Sequence, residues 1–257
     1  VASAEEIPVT AHVESGGTDG WGTHARTTAK VDGTFAIDAD RSELEVARRS
    51  LVDLPWVWLR QMHGRTVHVV GADDLDAVRG RDGDALVTAR SGVVLAVQTA
   101  DCVPVTFASR EGVIGVAHAG WRGLEAGVLE ATTDAMRSLG ATQVKAQIGP
   151  HIHASCYEFG VDELARLVRR FGPEVATRTP GGRPAFDATA AAHVALADAA
   201  VDVPARMDEA LHPRRGAMVG CTACGADRWF SHRARAEPGR MATVVWRDPV
   251  DPNGTRP

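Results

Sequence analysis

The sequence predicts an α+β fold: one domain in which a few helices pack on a mixed β-sheet. Three observations lead there. Short runs of Val, Ile and aromatic residues, bounded by Gly, Asp and Pro, crowd the middle of the chain as strands do. Segments with apolar residues at helical spacing flank them. The strands follow one another at hairpin-length separations, with no βαβ alternation and no internal repeat of 20–50 residues.

Taken in order, residues 1–40 are Gly- and Thr-rich and read as a divergent N-terminal edge of short strands and loops. Ser42–Leu51 reads as a helix with Ser42 as its capping candidate. Strands are expected at Trp56–Arg60, Thr66–Val70, Ala85–Thr88, Val93–Gln98, Val103–Phe107 and Val113–Ala117. A single helix is expected over Leu124–Leu139, stopped by Gly140. Val144–Ile148 is a further strand, Val161–Phe171 and Ala188–Val201 are helices, and Met241–Trp246 is the last strand. Residues 248–257 form a loose Pro-rich tail of a single domain spanning 1–257.

With 257 residues, 44% of them hydrophobic, the chain can bury a substantial core. Its formal charge of −5 is spread without a basic stripe, which argues against a nucleic-acid or membrane-surface partner. No apolar run is long enough to span a bilayer, and no export signal is visible. The four cysteines, Cys102, Cys156, Cys221 and Cys224, are too few for a disulfide framework. Reduced thiols in a cytoplasmic enzyme, monomeric or a small homo-oligomer, are the expectation.

Three segments share one design, a hydrophobic strand running into a small-residue turn that carries a metal-competent side chain. They end in His63-Gly64, Asp101-Cys102 and His118-Ala-Gly120. Two imidazoles and a thiolate suit zinc, and three protein ligands leave a fourth position open for catalysis. The thiolate also suits copper. A His or Cys alone at a strand end is ordinarily a packed residue, and separations of 39 and 16 positions match no local metal motif.

The motifs themselves carry more. Gln61-Met-His63-Gly64, Asp84-Ala-Leu-Val-Thr88, Thr99-Ala-Asp-Cys-Val-Pro104 and Ala117-His-Ala-Gly-Trp-Arg-Gly123 resemble the core of the laccase-domain family. So do Ile148-Gly-Pro150, Cys156-Tyr-Glu158, and Phe230-Ser-His-Arg233 followed by Gly239-Arg240. That family is also known as multicopper polyphenol oxidase-like, purine nucleoside phosphorylase or peptidoglycan editing factor. The resemblance covers residues 55–246. It implies a layered α/β/β/α sandwich and a metal held by His63, Cys102 and His118, which are then also the catalytic residues. It implies phosphate-dependent cleavage of adenosine or inosine, with adenosine deamination as an additional activity, so that purine nucleoside and phosphate are the partners.

Around that centre, Arg122 and the turn leading into the helix at Leu124 suit phosphate, with pairing of Arg122 to a structural carboxylate as the alternative. Trp121 is placed to stack on a base. Arg48 is a further substrate- or phosphate-binding candidate by the same resemblance, although the Asn-Arg pair that the family carries on its first helix appears here as Ala47-Arg48. His151 and His153 are pocket-lining acid–base candidates, or a solvated loop. Glu158 is a candidate for proton transfer, and His68 reads as structural. Cys221-Thr-Ala-Cys224, the sole C-x-x-C, is weak evidence for zinc or redox chemistry, and packing is preferred. The chain departs from the family after Gly16-Gly17, where no Ser-Leu-Asn-Leu string follows, and at His232, which replaces a Tyr. Two other chemistries stay open: a cysteine hydrolase acting on a cell-wall amide, with Cys102 as nucleophile and an imidazole base, and, ranked last, a copper oxidase of phenols.

Overall fold

A computed structural model describes residues 22–71, 75–203 and 220–249. Most of the N-terminal edge and most of the C-terminal tail lie outside these residues. Two sheets carry the architecture. The first has the order β1 (Thr23–Thr27), β11 (Met241–Arg247), β5 (Val94–Thr99), β2 (Trp56–Val57). The second has the order β3 (Val67–Val69), β4 (Ala85–Thr88), β7 (Ile114–Ala119), β6 (Val103–Ser109), β8 (Val144–Ile148). Both are mixed: β2 with β5 and β3 with β4 run parallel, and the other pairings are antiparallel.

Side-chain alternation explains the layering. Leu95 and Val97 of β5 meet Leu86, Ile114 and Val116 of the second sheet in an apolar interlayer. The opposite parity of the first sheet, Val94, Ala96, Ala242 and Val244, packs against Leu44 of helix α1 (Arg41–Leu51). The opposite parity of the second sheet, including Val87, Val105, Phe107 and Ala117, is covered by helices. These are α3 (Trp121–Ala126), α4 (Val128–Ser138), α5 (Val161–Phe171) and α6 (Ala188–Asp198). The result is an α/β/β/α sandwich. A small hairpin of β9 (Ala176–Arg178) and β10 (Pro184–Phe186) lies beside α5. Among the described residues no helix is long and apolar enough to cross a membrane.

Several elements differ from the sequence expectation. Asp40, not Ser42, caps α1, its carboxylate accepting the Ser42 and Glu43 amides. The expected Leu124–Leu139 helix begins at Trp121 and breaks at Gly127, whose φ of 88° and ψ of 42° only glycine adopts cheaply. The expected Trp56–Arg60 strand shrinks to Trp56–Val57, with Arg60 making a lone parallel bridge to Asp82. A βαβ unit is present after all. β3 and β4 run parallel on either side of α2 (Leu75–Val78), a helix too short to show a helical period in the sequence.

Candidate metal centre

The chain crosses from the first sheet to the second at two points, and each crossing carries a candidate ligand. Between β5 and β6 the connector is only Ala100-Asp101-Cys102, with Asp101 at φ 98°. Between β2 and β3 it contains His63, itself at φ 57°. Both are non-glycine residues in left-handed backbone, a conformation that persists only where the surroundings hold it. For Asp101 the hold is visible. Its carboxylate accepts from Thr222 Oγ1 at 2.6 Å, Ser231 Oγ at 2.7 Å and the Arg233 amide at 2.6 Å. The His63 crossing is held by Gln61, whose carboxamide donates to Gln98 O and accepts from Gln98 N, both at 2.7 Å. Gln61 thereby continues the β2–β5 ladder with its side chain.

The third ligand rides on β7. His118 shares the parity of Ile114 and Val116, so it faces the interlayer at the strand's end, and it is buried. Extending the β4–β7 register by one residue sets Asp84 beside it, and the His118 amide donates to Asp84 O at 2.7 Å. The result is one locus: the ligand atoms of His63, Cys102 and His118 all lie within 4.8 Å of one another. The two imidazole rings meet edge to face, with centroids 4.8 Å apart. His63 is exposed and Cys102 half-buried, so the locus opens outward. Gly120 leaves the room. A Cβ there would stand 2.8 Å from His63 Cδ2, 3.2 Å from Cys102 Sγ and 3.7 Å from His118 Cε1.

Asp84, quoted above only as part of a motif, organises the site. It is fully buried. Its Oδ1 accepts from the His63 amide and from His118 Nδ1, each at 2.9 Å, and its Oδ2 accepts from the Gly64 amide at 2.7 Å and the Met62 amide at 3.3 Å. Burial works to raise its carboxyl. The hydrogen bonds from His118 and the Gly64 and His63 amides outweigh that, keeping it below the ordinary carboxylate range. With Nδ1 donating to Asp84, His118 turns Nε2 toward the locus, the orientation a carboxylate–histidine–metal relay requires. Burial opposes charge on Cys102 and His118 alike, yet each ionises the other. The thiol is lowered by the neighbouring imidazoles, and the imidazole is raised by the thiolate and Asp84.

Two nitrogens and one sulfur, converging on a glycine-cleared space, fit a zinc or copper ion. The same line of Cys102, His118 and Asp84 also has the order of a thiol nucleophile, its base and an orienting carboxylate.

Beside the centre lies an aromatic wall. Trp121 meets Phe159 edge to face at 5.4 Å, and Phe159 meets Tyr157 likewise at 5.3 Å. Burial and then the Cys102 charge push the Tyr157 phenol up, against the pull of Arg233 and Arg122, so these groups surround one another. Arg122 is exposed, with its guanidinium 4.3 Å from the centre of the Trp121 ring. Among the described residues no carboxylate pairs with it. Leu124 is already inside α3, its amide bonded to Gly120 O at 2.8 Å, so the helix start falls at Trp121 and not at Leu124.

Other expected site residues are placed elsewhere. Arg48 is buried in the cluster that joins α1 to the outer face of the first sheet, its guanidinium 3.7 Å from the Trp58 ring centre. Burial and the charge of Arg79 lower it to about 10. His151 is fully buried, and its ring nitrogens meet Gly149 O and Thr189 Oγ1, each at 2.8 Å, which makes it part of the framework. Glu158 is exposed and pairs with Arg183 at 2.6 Å. His68 is bonded to Asp82 O at 2.9 Å.

Residues 21–248 match the family model described as multi-copper polyphenol oxidoreductase laccase. The chain belongs to this family. Among its laccase-like relatives is a Streptomyces griseus protein named purine nucleoside phosphorylase ORF3, 37% identical over 94% of this chain and 97% of its own. A Streptomyces coelicolor protein named purine nucleoside phosphorylase SCO2081 is 40% identical over 84% of this chain and 85% of its own. The solved structure of YlmD from Geobacillus stearothermophilus superposes with a TM-score of 0.76 at 27% identity, covering 92% of this chain and 96% of that one.

Proposed function

We propose that this laccase-like chain is a metal-dependent purine nucleoside enzyme that cleaves adenosine or inosine with phosphate. The observation that carries it is the convergence of His63, Cys102 and His118 beside an aromatic wall that bears the cation of Arg122, with which no carboxylate among the described residues pairs. The relatives named purine nucleoside phosphorylase support the substrate class.

The reaction breaks the bond from the base to C1′ and forms a bond from a phosphate oxygen to C1′, the base leaving with the electron pair and a proton. Trp121 presents a half-buried ring, braced by Phe159, for a purine to stack on. Arg122 supplies a charge for phosphate. Asp84 fixes the tautomer and aim of His118 and the backbone of His63. His63, Cys102 and His118 would hold one metal ion, zinc by the donor set with copper as the alternative, and that ion when bound would supply Lewis acidity for this cleavage and for an adenosine deamination with water as nucleophile.

The test is a product assay with adenosine and inosine, with and without phosphate. Ribose 1-phosphate together with free base is the expected result, and arsenate should replace phosphate. Base release that is indifferent to phosphate overturns phosphorolysis.

The alignment of Cys102, His118 and Asp84 favours a second reading, a cysteine hydrolase of a cell-wall amide. The two readings respond oppositely to chelation. A metal enzyme loses activity and exposes Cys102 to alkylation, and zinc restores it. A thiol hydrolase stays active and yields a covalent adduct on Cys102.

A further inference from the structure

The remaining three cysteines are gathered at a second place. His151 and Cys221 form a lone parallel bridge, with the His151 amide donating to Gly220 O at 3.1 Å and the Thr222 amide to His151 O at 3.0 Å. This lays the turn ending in Cys156 against Cys221-Thr-Ala-Cys224, although Cys156 and Cys224 are 68 positions apart in sequence. Cys156 Sγ and Cys224 Sγ stand 3.3 Å apart, and the three sulfurs all lie within 4.8 Å of one another. We propose that Cys156, Cys221 and Cys224 form a second metal site, a three-thiolate zinc site with its fourth position open to solvent.

Geometry and surroundings both point to a cation. Zinc–sulfur bonds of about 2.3 Å in a tetrahedron set neighbouring sulfurs about 3.8 Å apart, within the span observed here. The sulfurs are free thiols, and one disulfide would leave the third without a partner. Cys221, fully buried, accepts the His153 amide on its sulfur at 3.5 Å, a donor that suits a thiolate ligand. The second cysteine is followed by Gly225, whose amide closes the turn on Cys221 O at 2.9 Å. A Cβ at Gly225 would stand 2.6 Å from Trp229 Cδ1, so the tight turn that brings Cys224 back over Cys221 needs glycine there. Cys156 is half-buried and Cys224 exposed, which leaves the outer side of the cluster to water.

The site has a structural task. Both segments it ties together also grip Asp101: the Ile152 amide donates to Asp101 O at 3.0 Å, and Thr222 Oγ1 to its carboxylate at 2.6 Å. Asp101 is the left-handed residue that presents Cys102. A zinc ion on the three thiolates therefore clamps the backbone behind a ligand of the first centre.

The test counts metal in protein purified under reductant, by elemental analysis and by cobalt substitution read through its thiolate charge-transfer band. In a His63→Ala, Cys102→Ser, His118→Ala background, about one zinc per chain should remain, and cobalt should give the thiolate band. Adding Cys156→Ser and Cys224→Ser should abolish both. Should the background fail to fold, the same pair of serine substitutions in the otherwise intact holoenzyme should lower zinc by one equivalent per chain. Cys221 is left alone in both arms because it is buried. A background protein that folds without zinc overturns the site, whether its thiols are free or Cys156 and Cys224 are joined as a disulfide. Metal content unchanged by the serine pair in the holoenzyme does the same.

Discussion

Replacing Asp84 with Asn keeps the shape of a fully buried side chain but removes its charge and one acceptor oxygen. In the wild type, Oδ1 serves the His63 amide and His118 Nδ1, and Oδ2 serves the amides of Gly64 and Met62. Asparagine has one carbonyl oxygen, so one of these pairs must face an NH₂ group, donor against donor. An unsatisfied buried donor costs about 1–3 kcal/mol. Two of them, one being the long Met62 contact, give about 2–4 kcal/mol, a large part of a typical stability of about 5–15 kcal/mol. If the NH₂ faces Oδ1's partners, His118 can answer only by moving its proton to Nε2, which removes the lone pair a metal needs. Metal affinity should therefore fall about 10–100-fold, as for other supporting carboxylates. Denaturant unfolding of metal-free protein reads the first effect, and competition with a chromophoric chelator reads the second. The pH dependence gives an independent sign. Asp84 titrates below its unfolded value, so its stabilisation is complete above about pH 4 and is lost as pH falls through the lower folded value. Asp84→Asn should lose that acid dependence. A variant within about 0.5 kcal/mol of wild type, binding metal within twofold, refutes the role given to Asp84.

Gly120→Ala tests the cleared space at ordinary backbone geometry, because Gly120 has φ −67°. Its methyl meets His63 and Cys102, so metal occupancy should drop while unfolding shifts by about 1–3 kcal/mol, the range for overpacking. His151→Leu leaves Gly149 O and the Thr189 hydroxyl without their ring partner, and denaturation should show a loss of about 1–3 kcal/mol. Glu237 is pulled down to about 2 as Lys30, the Ser231 amide and Arg235 outweigh its desolvation. Its contribution is present above about pH 4.5 and lost as pH falls toward 2, so thermal midpoints of Glu237→Gln should fall less steeply than wild type over that window. An unchanged slope removes Glu237 from the acid response.

Periodicity and side-chain type were enough to read the strand-rich centre and the α+β class, because those properties are local, whereas His63, Cys102 and His118 stood out as a set through the motifs that resemble the laccase-domain family. The runs Val94–Thr99 and Ile114–Ala119 alternate toward two different layers whatever their partners turn out to be. The break at Gly127 was also local, and a glycine inside a helical pattern was the available signal. What only the tertiary structure decided were pairings across the chain. Asp84 looks like an ordinary acid before a strand until the β4–β7 register sets it beside His118. Arg48 stands among the substrate-contact candidates until the structure buries it against Trp58. Cys156 has no sequence relation to the C-x-x-C until one parallel bridge brings them together. A sheet register couples residues by position along two strands, and no spacing within one segment encodes that choice.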